Sequence, residues 1–135
     1  MISLVLVLAL GACAGKAVPE VPAPSGAATY TGSGELQTAA QLAFADLHSR
    51  LRQHYDPPWD LQRYAEPAGA AWAGVVEHYA RALGGDWKPD GRYAEDAGPG
   101  YRSKVWTDGE RAVAVGALTR GDEQVLLVLV PAKGT

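Results

Sequence analysis

The chain has two stretches in which apolar residues recur at helical spacing. The first runs from Glu35 towards Pro57-Pro58, a pair that ends a helix because proline supplies no amide donor. Its apolar positions, three and four residues apart, are Leu36, Ala40, Ala43, Phe44, Leu47 and Leu51. The second covers residues 68–83 and stops at Gly84-Gly85, which is typical of a helix C-terminus. The sequence therefore predicts two amphipathic helices.

After Gly100 the period of the apolar pattern falls to two. Residues 101–107, 111–118 and 124–130 are each predicted to form a strand, because the turn sequences Asp108-Gly109 and Arg120-Gly121-Asp122 separate them. Such short connections join antiparallel neighbours. Together with the helices, this predicts an α+β fold in which two helices pack on one face of a three-stranded antiparallel β-meander.

The third predicted strand is apolar on both of its faces. Residues 125–130 read VLLVLV, yet the order of a meander puts this strand at a sheet edge, where exposed apolar strands aggregate. Either a short strand near Trp87 or the first helix flanks it, or it pairs with a second copy of the chain or with a partner by strand addition.

The N-terminus is an apolar run followed by small residues and the single cysteine. Residues 2–10 are too few to span a bilayer, which needs about 20 apolar residues, but they have the length of a secretory signal sequence. The last residues, Leu10-Gly11-Ala12-Cys13, resemble the lipobox of bacterial lipoproteins. That resemblance implies removal of residues 1–12 as a signal peptide and attachment of lipid, including palmitate, to Cys13.

The resemblance also implies where the protein acts. A lipidated Cys13 anchors the exported chain to a membrane of the cell envelope, and Ala14, in place of aspartate, permits the outer membrane. Residues 13–34 are rich in Pro and Gly and are predicted to be a flexible tether. Residues 35–131 would form a single α+β domain, and residues 132–135 a short tail.

Composition excludes some partners. With 12 Lys and Arg against 15 Asp and Glu, the net charge of -3 disfavours binding to a phosphate backbone, so nucleic acid is not an expected partner. The chain also lacks a dinucleotide or phosphate-loop motif and a complete set of metal ligands at the usual spacing. We therefore expect neither a cofactor nor a metal.

Aromatic residues outside the periodic elements are the candidate binding residues. Trp59, Tyr64, Trp87 and Tyr93 could form a recognition patch, because Trp and Tyr often anchor interfaces. The same side chains could instead close the ends of a small core.

The predicted function follows from the anchor and these aromatic residues. We expect a membrane-anchored envelope lipoprotein with a small, non-enzymatic binding or assembly-accessory domain, whose partner is an envelope protein or part of the cell wall. The alternative is a small, glycan-directed envelope hydrolase that uses the carboxylates near Trp59, namely Asp56, Asp60 and Glu66.

Overall fold

The computed structural model describes residues 20–30, 32, 35–67 and 70–132, which form an α+β fold. Its helices are α1 (Glu35–Leu51) and α2 (Trp72–Leu83). Its strands are β1 (Ala28–Thr29), β2 (Trp59–Pro67), β3 (Lys88–Pro89), β4 (Asp96–Gly98), β5 (Tyr101–Thr107), β6 (Ala112–Arg120) and β7 (Glu123–Pro131). Neither helix is long and apolar enough to cross a bilayer. Cys13 and the lipobox lie outside the described residues.

Both predicted helices and the predicted meander are present. The first helix has the expected start and ends at Leu51, whereas α2 begins at Trp72 instead of residue 68. At its C-terminus, Gly84 has a φ of 84° and donates its N–H to the carbonyl of Ala80, so the glycine closes the helix as expected. The strands β5, β6 and β7 pair in order and antiparallel.

The sheet is wider than the three strands that we predicted. Seven strands take part, in the order β1-β2-β7-β6-β5-β3, with β4 also paired to β5, and every pair is antiparallel. The largest addition is β2, which pairs with β7 from Trp59 opposite Pro131 to Pro67 opposite Glu123. Its sequence, WDLQRYAEP, alternates between apolar and polar only over its first four residues, so periodicity is a weak signal for this strand.

The apolar strand β7 lies inside the sheet. Both of its edges are hydrogen-bonded within the chain, to β6 on one side and to β2 on the other. The flanking element is therefore neither a strand near Trp87 nor the first helix. Strand addition at residues 125–130, by a second copy or by a partner, would require β2 to be displaced.

The two helices lie on opposite faces of the sheet, which corrects the prediction that they share one face. Because successive strand residues point to opposite faces, Val125, Leu127 and Leu129 of β7 pack with residues of α1, whereas Leu126 and Val128 pack with residues of α2. The fold has three layers. Strands covered on both sides need apolar residues at every position, which accounts for the VLLVLV sequence.

Residues 20–30, which the sequence placed in the tether, contribute to the folded unit. Val21 is only 5% exposed and packs in the cluster on the α2 side, and Tyr30 packs on the α1 side. Between them, β1 pairs with Tyr64 and Ala65 of β2. A Pro- and Gly-rich composition does not prevent packing where an existing sheet edge and core provide partners. The packed chain therefore reaches back well before residue 35.

Candidate functional site

Helix α2 covers only part of its face of the sheet. Under the helix, the sheet carries large buried side chains, which are Trp106, Val113, Val115, Leu126 and Val128. Beyond the start of α2, the same face carries Ala117, Thr119 and Gln124, and a cleft of about 960 Å³ opens above them. Ligand sites usually measure roughly 300–1,000 Å³, so this cleft is large enough to hold a small molecule or a short polymer.

Two polar side chains line the floor of the cleft, Thr119 of β6 and Gln124 of β7, and they continue into a hydrogen-bonded chain that ends at Glu66 of β2, behind the cleft lining. The hydroxyl of Thr119 donates to Oε1 of Gln124 at 3.0 Å, and Nε2 of Gln124 donates to Oε2 of Glu66 at 2.9 Å. Gln124 and Glu66 are 5% and 8% exposed. Because a carboxylate can only accept, Glu66 fixes the orientation of the amide, which in turn fixes the hydroxyl proton. The floor is therefore a pre-oriented array.

Each group of this floor keeps some hydrogen-bonding capacity. The amide of Gln124 has a second N–H and the hydroxyl of Thr119 has free lone pairs, and both residues line the cleft. The remaining capacity includes both donors and acceptors. We call Thr119, Gln124 and Glu66 the polar floor.

The indole of Trp72 forms one wall of the cleft, and a hydrogen bond from its ring nitrogen fixes its position. Nε1 of Trp72, at the start of α2, donates to Oε1 of Glu95 at 3.0 Å, and Oε2 of Glu95 lies 3.7 Å from Nζ of Lys104. Trp72 is half-buried and lines the cleft. With its N–H already bonded, the indole offers its ring surface.

The rim carries one charge of each sign. Asp96 on β4 and Arg102 on β5 lie opposite each other in the strand register, and both line the cleft. Neither side chain forms a hydrogen bond or ion pair with another residue in the described part of the chain. The rim therefore has no net charge.

A glycine sets the edge of the cleft. Gly100, in the turn between β4 and β5, has a φ of 67°, and its carbonyl accepts the N–H of Thr119 at 2.8 Å. A Cβ at this position would lie 2.8 Å from the carbonyl oxygen of Thr119. Both the backbone conformation and the close approach require glycine.

Tyr79 of α2 is buried on the same face as the polar floor. It is 0% exposed, and its hydroxyl has no hydrogen-bond partner among the described residues. Burial raises the pKa of Tyr79 strongly, and the nearby Tyr64 and Glu66 add to that effect. The phenol therefore stays neutral and does not exchange protons in the physiological range.

A second polar cluster links the end of α1 to the loop after β3. Asp90 accepts from the hydroxyl of Tyr55 at 2.5 Å and from Nη2 and Nε of Arg92 at 2.7 and 3.0 Å. Nη1 of Arg92 also lies 3.0 Å from Nδ1 of His54. We call Tyr55, Asp90 and Arg92 the closed cluster.

The charges of the closed cluster stabilise each other. The hydrogen bonds from Arg92 hold the pKa of the Asp90 carboxyl well below its usual range, against the opposing effect of burial, and the hydroxyl of Tyr55 adds to them. The same contacts raise the pKa of Arg92. Burial and the hydrogen bond to Asp90 raise the pKa of Tyr55. These residues are suited to fastening a loop, since each functional group is already engaged.

The structure does not bring the four predicted aromatic residues into one patch. Trp59 and Tyr93 are half-buried and pack on the α1 side, where Nε1 of Trp59 donates to the carbonyl of Ala112 at 3.1 Å. The hydroxyl of Tyr93 donates to the carbonyl of Arg50 at 3.0 Å. Both side chains therefore close the edge of the core.

Tyr64 and Trp87 lie on the other face of the sheet. Trp87 is buried in the α2-side cluster, and the guanidinium of Arg111 lies 5.6 Å from the centre of its ring. Tyr64 packs against the same cluster, and its hydroxyl donates to Oε1 of Gln62 at 3.1 Å. The sheet separates this pair from Trp59 and Tyr93, so the four side chains cannot contact one ligand together.

Two of the three carboxylates near Trp59 lie on one strand, far apart. Asp60 and Glu66 are six residues apart on β2, which at about 3.3 Å per residue separates them by about 20 Å. Glycosidases hold their two carboxyl groups roughly 5–9.5 Å apart. Asp60 and Asp56 are exposed, whereas Glu66 is buried and bonded to Gln124. Asp60 and Glu66 therefore cannot act on one bond.

The cleft itself escaped prediction from the sequence. Its side chains come from α2, the β4–β5 hairpin, β6 and β7, and none belongs to a motif. Trp72 has the spacing of a core residue, and Gln124 reads as the polar start of a strand. The usable signal was the change from large apolar to small or polar residues at the end of β6, from Val115 to Ala117 and Thr119.

No family model, curated protein or solved structure matches the chain, so the role of the cleft rests on its own geometry. Within the described residues, no group of three His, Asp or Glu side chains converges as metal ligands would. The chemistry that the cleft offers is hydrogen bonding by the polar floor and contact with the ring of Trp72.

Proposed function

We propose that this protein is a lipoprotein of the bacterial cell envelope whose domain binds an envelope component, a protein or part of the cell wall, without transforming it. The proposal is carried by Leu10-Gly11-Ala12-Cys13, which resembles a lipobox and follows an apolar run of secretory length. Small residues next to the cut suit a signal peptidase, and Cys13 supplies the thiol that receives lipid. With Ala14 after the cysteine, the outer membrane is a permitted destination.

The cleft supports a binding role for the domain. The polar floor keeps donors and acceptors inside a concavity of about 960 Å³. Binding is favoured over hydrolysis because Asp60 and Glu66 stand about 20 Å apart on one strand. We therefore assign the domain an accessory, non-enzymatic role.

The chain length between anchor and domain supports action at the membrane surface. Val21 is packed in the core, and Cys13 precedes it by eight positions. Since an extended chain spans at most about 3.6 Å per residue, Val21 would lie within about 30 Å of the lipidated residue. The cleft would then meet ligands close to the bilayer.

Metabolic labelling with an alkyne analogue of palmitate, followed by separation of membrane and soluble fractions, tests the anchor. We expect the wild-type chain to carry the label and to sediment with membranes. Cys13→Ser should lose the label and retain residues 1–12, because serine cannot form the thioether. Ser3→Ala, in the same apolar run, is the matched control and should be labelled like wild type. A wild-type chain without label, or a Cys13→Ser chain that is still cut, would contradict the proposal.

A further inference from the structure

We infer that the cleft above the polar floor binds a neutral oligosaccharide. The inference rests on the proposed binding role of the domain and names its ligand class. Three properties of the cleft carry it: the mixed donors and acceptors of its floor, the half-buried ring of Trp72 on its wall, and a rim without net charge.

The polar floor matches the chemistry of sugar hydroxyls. A hydroxyl donates one hydrogen bond and accepts others, and the cleft offers a free N–H on Gln124 beside an acceptor on Thr119. Because these side chains already orient one another, a ligand does not have to order them. Gln124 and Glu66 are each more than nine-tenths buried, so the floor is part of the fold and not a mobile surface group.

Trp72 provides the surface that a sugar ring needs. The axial C–H groups of a pyranose form an apolar face, which packs on an aromatic ring, while its hydroxyl edge turns to polar groups. The bond from Nε1 of Trp72 to Glu95 fixes the indole beside the cleft. The other walls are small, with Ala70, Ala73 and Ala117 contributing single methyl groups. The cleft therefore has no deep apolar pocket for a hydrophobic ligand.

Charge favours a neutral ligand. Arg102 and Asp96 stand opposite each other on the rim and offset each other's field. A polyanion or a polycation would be attracted by one of these groups and repelled by the other.

The geometry also favours a sugar over an extended peptide. Peptides commonly bind by adding a strand to an open sheet edge. The floor instead lies on the face of the sheet, where the strands of Thr119, Gln124 and Glu66 are paired to one another. The N–H of Thr119 is already bonded to Gly100. Over this floor, a peptide would contact side chains of strands that are paired to each other, with no free main-chain ladder on β6 or β7.

The full-length protein in detergent micelles can be titrated with chitotetraose, with cellotetraose and a tetra-alanine peptide as comparators. Calorimetry measures affinity, and a change in tryptophan fluorescence that is lost in Trp72→Phe reports contact with Trp72. We expect wild type to bind at least one of the sugars but not the peptide. Thr119→Val and Trp72→Leu should each weaken binding about tenfold, the loss of one good contact, whereas Trp72→Phe should keep most of the affinity. Trp59→Phe, on the other face, is the matched control and should bind like wild type.

The inference is overturned if neither sugar binds up to its solubility limit, or if Thr119→Val and Trp72→Leu both bind like wild type. Should Trp72→Leu fail to fold by circular dichroism, Thr119→Val alone decides. Binding of the peptide and not of the sugars would also overturn the oligosaccharide, while leaving a binding role for the domain. Failure of palmitate labelling, by contrast, would remove the anchor without changing any affinity.

Discussion

The closed cluster and the polar floor use similar side chains to different ends. In the closed cluster, both oxygens of Asp90 are taken by Arg92, and one of them also by Tyr55. In the polar floor, each group makes a bond within the chain and keeps capacity for another. Buried polar groups whose bonds are complete contribute stability, whereas groups with remaining capacity are available to a ligand.

The difference comes from what lies above each cluster. The closed cluster sits where the turn after α1 meets the loop that follows β3, so two segments of the chain supply partners from both sides. The polar floor lies beyond the start of α2, where neither of the two described helices covers the sheet. Incomplete coverage of an otherwise three-layered fold is therefore the structural origin of the cleft.

Substitution of Gly100 should distort the turn that forms the edge of the cleft. Gly100→Ala places a Cβ 2.8 Å from the carbonyl oxygen of Thr119 and forces alanine into a φ of 67°. We expect a loss of about 2–3 kcal/mol in the free energy of unfolding, measured by urea denaturation. Gly91→Ala is the control, because a Cβ there meets no atom within 4 Å and Gly91 has no positive φ. Equal stability of the two variants would show that the turn adapts without cost.

Replacing an aspartate with asparagine should lower the free energy of unfolding in the closed cluster but not at the rim of the cleft. Asp90→Asn replaces an acceptor of Arg92 and Tyr55 with a group that also donates, so we expect a loss of about 1–2 kcal/mol at neutral pH. Asp96→Asn, on the rim of the cleft, should change the free energy of unfolding by no more than about 0.5 kcal/mol. If both variants lose the same amount, the distinction between a closed and an open region fails.

The fold was predictable where an element carries its own periodicity. The spacing in α1, the glycines after α2 and the turns of the β5–β7 meander are all local signals. Strand β2 was missed because its pairing with β7 depends on partners 56 to 72 residues further along the chain, and its own side chains alternate over only four residues. The VLLVLV sequence of β7 indicates cover on both faces, but it does not identify which elements cover it.

The candidate site was less predictable than the fold. Trp59 and Trp87 stand out in the sequence as candidate binding residues. In the structure, however, Trp59 donates to the carbonyl of Ala112, and the guanidinium of Arg111 lies over the ring of Trp87. No local sequence pattern reveals these contacts. The polar floor joins β2, β7 and β6, so it exists only once the strand order is known. The cleft exists because α2 begins at Trp72 and leaves part of the sheet uncovered, and no sequence motif marks such a position.

Acid should weaken wild type more than Asp90→Asn. The pKa of Asp90 is lowered by Arg92, so its stabilising contribution is present above the pKa of an unfolded aspartate, about 3.9, and is lost as the pH falls below it towards the folded value. Between roughly pH 5 and pH 2, we expect the free energy of unfolding to fall less steeply in Asp90→Asn.

The control for this acid profile is Asp96→Asn, which should follow the wild-type curve. Some slope should remain in every variant, because the pKa of Asp108 is also lowered: burial opposes the shift, but hydrogen bonds from the main chain of Arg111 and Glu110 prevail. Urea denaturation at each pH provides the profile. Parallel curves for wild type and Asp90→Asn would mean that Asp90 is not stabilised by its neighbours.

The smallest effect, and the only gain, is expected at Tyr79. Its hydroxyl is buried with no hydrogen-bond partner among the described residues, so Tyr79→Phe removes a desolvated polar group at almost constant volume and should stabilise the protein by up to about 1 kcal/mol. The matched change in the closed cluster, Tyr55→Phe, removes the donor at 2.5 Å from Asp90 and should cost about 1 kcal/mol instead. The change in the free energy of unfolding would then have opposite signs at the two positions, because the hydroxyl of Tyr55 donates a hydrogen bond to Asp90 and that of Tyr79 has no partner among the described residues. A destabilised Tyr79→Phe variant would show that this hydroxyl has a partner in solution, which would extend the polar floor beneath the cleft.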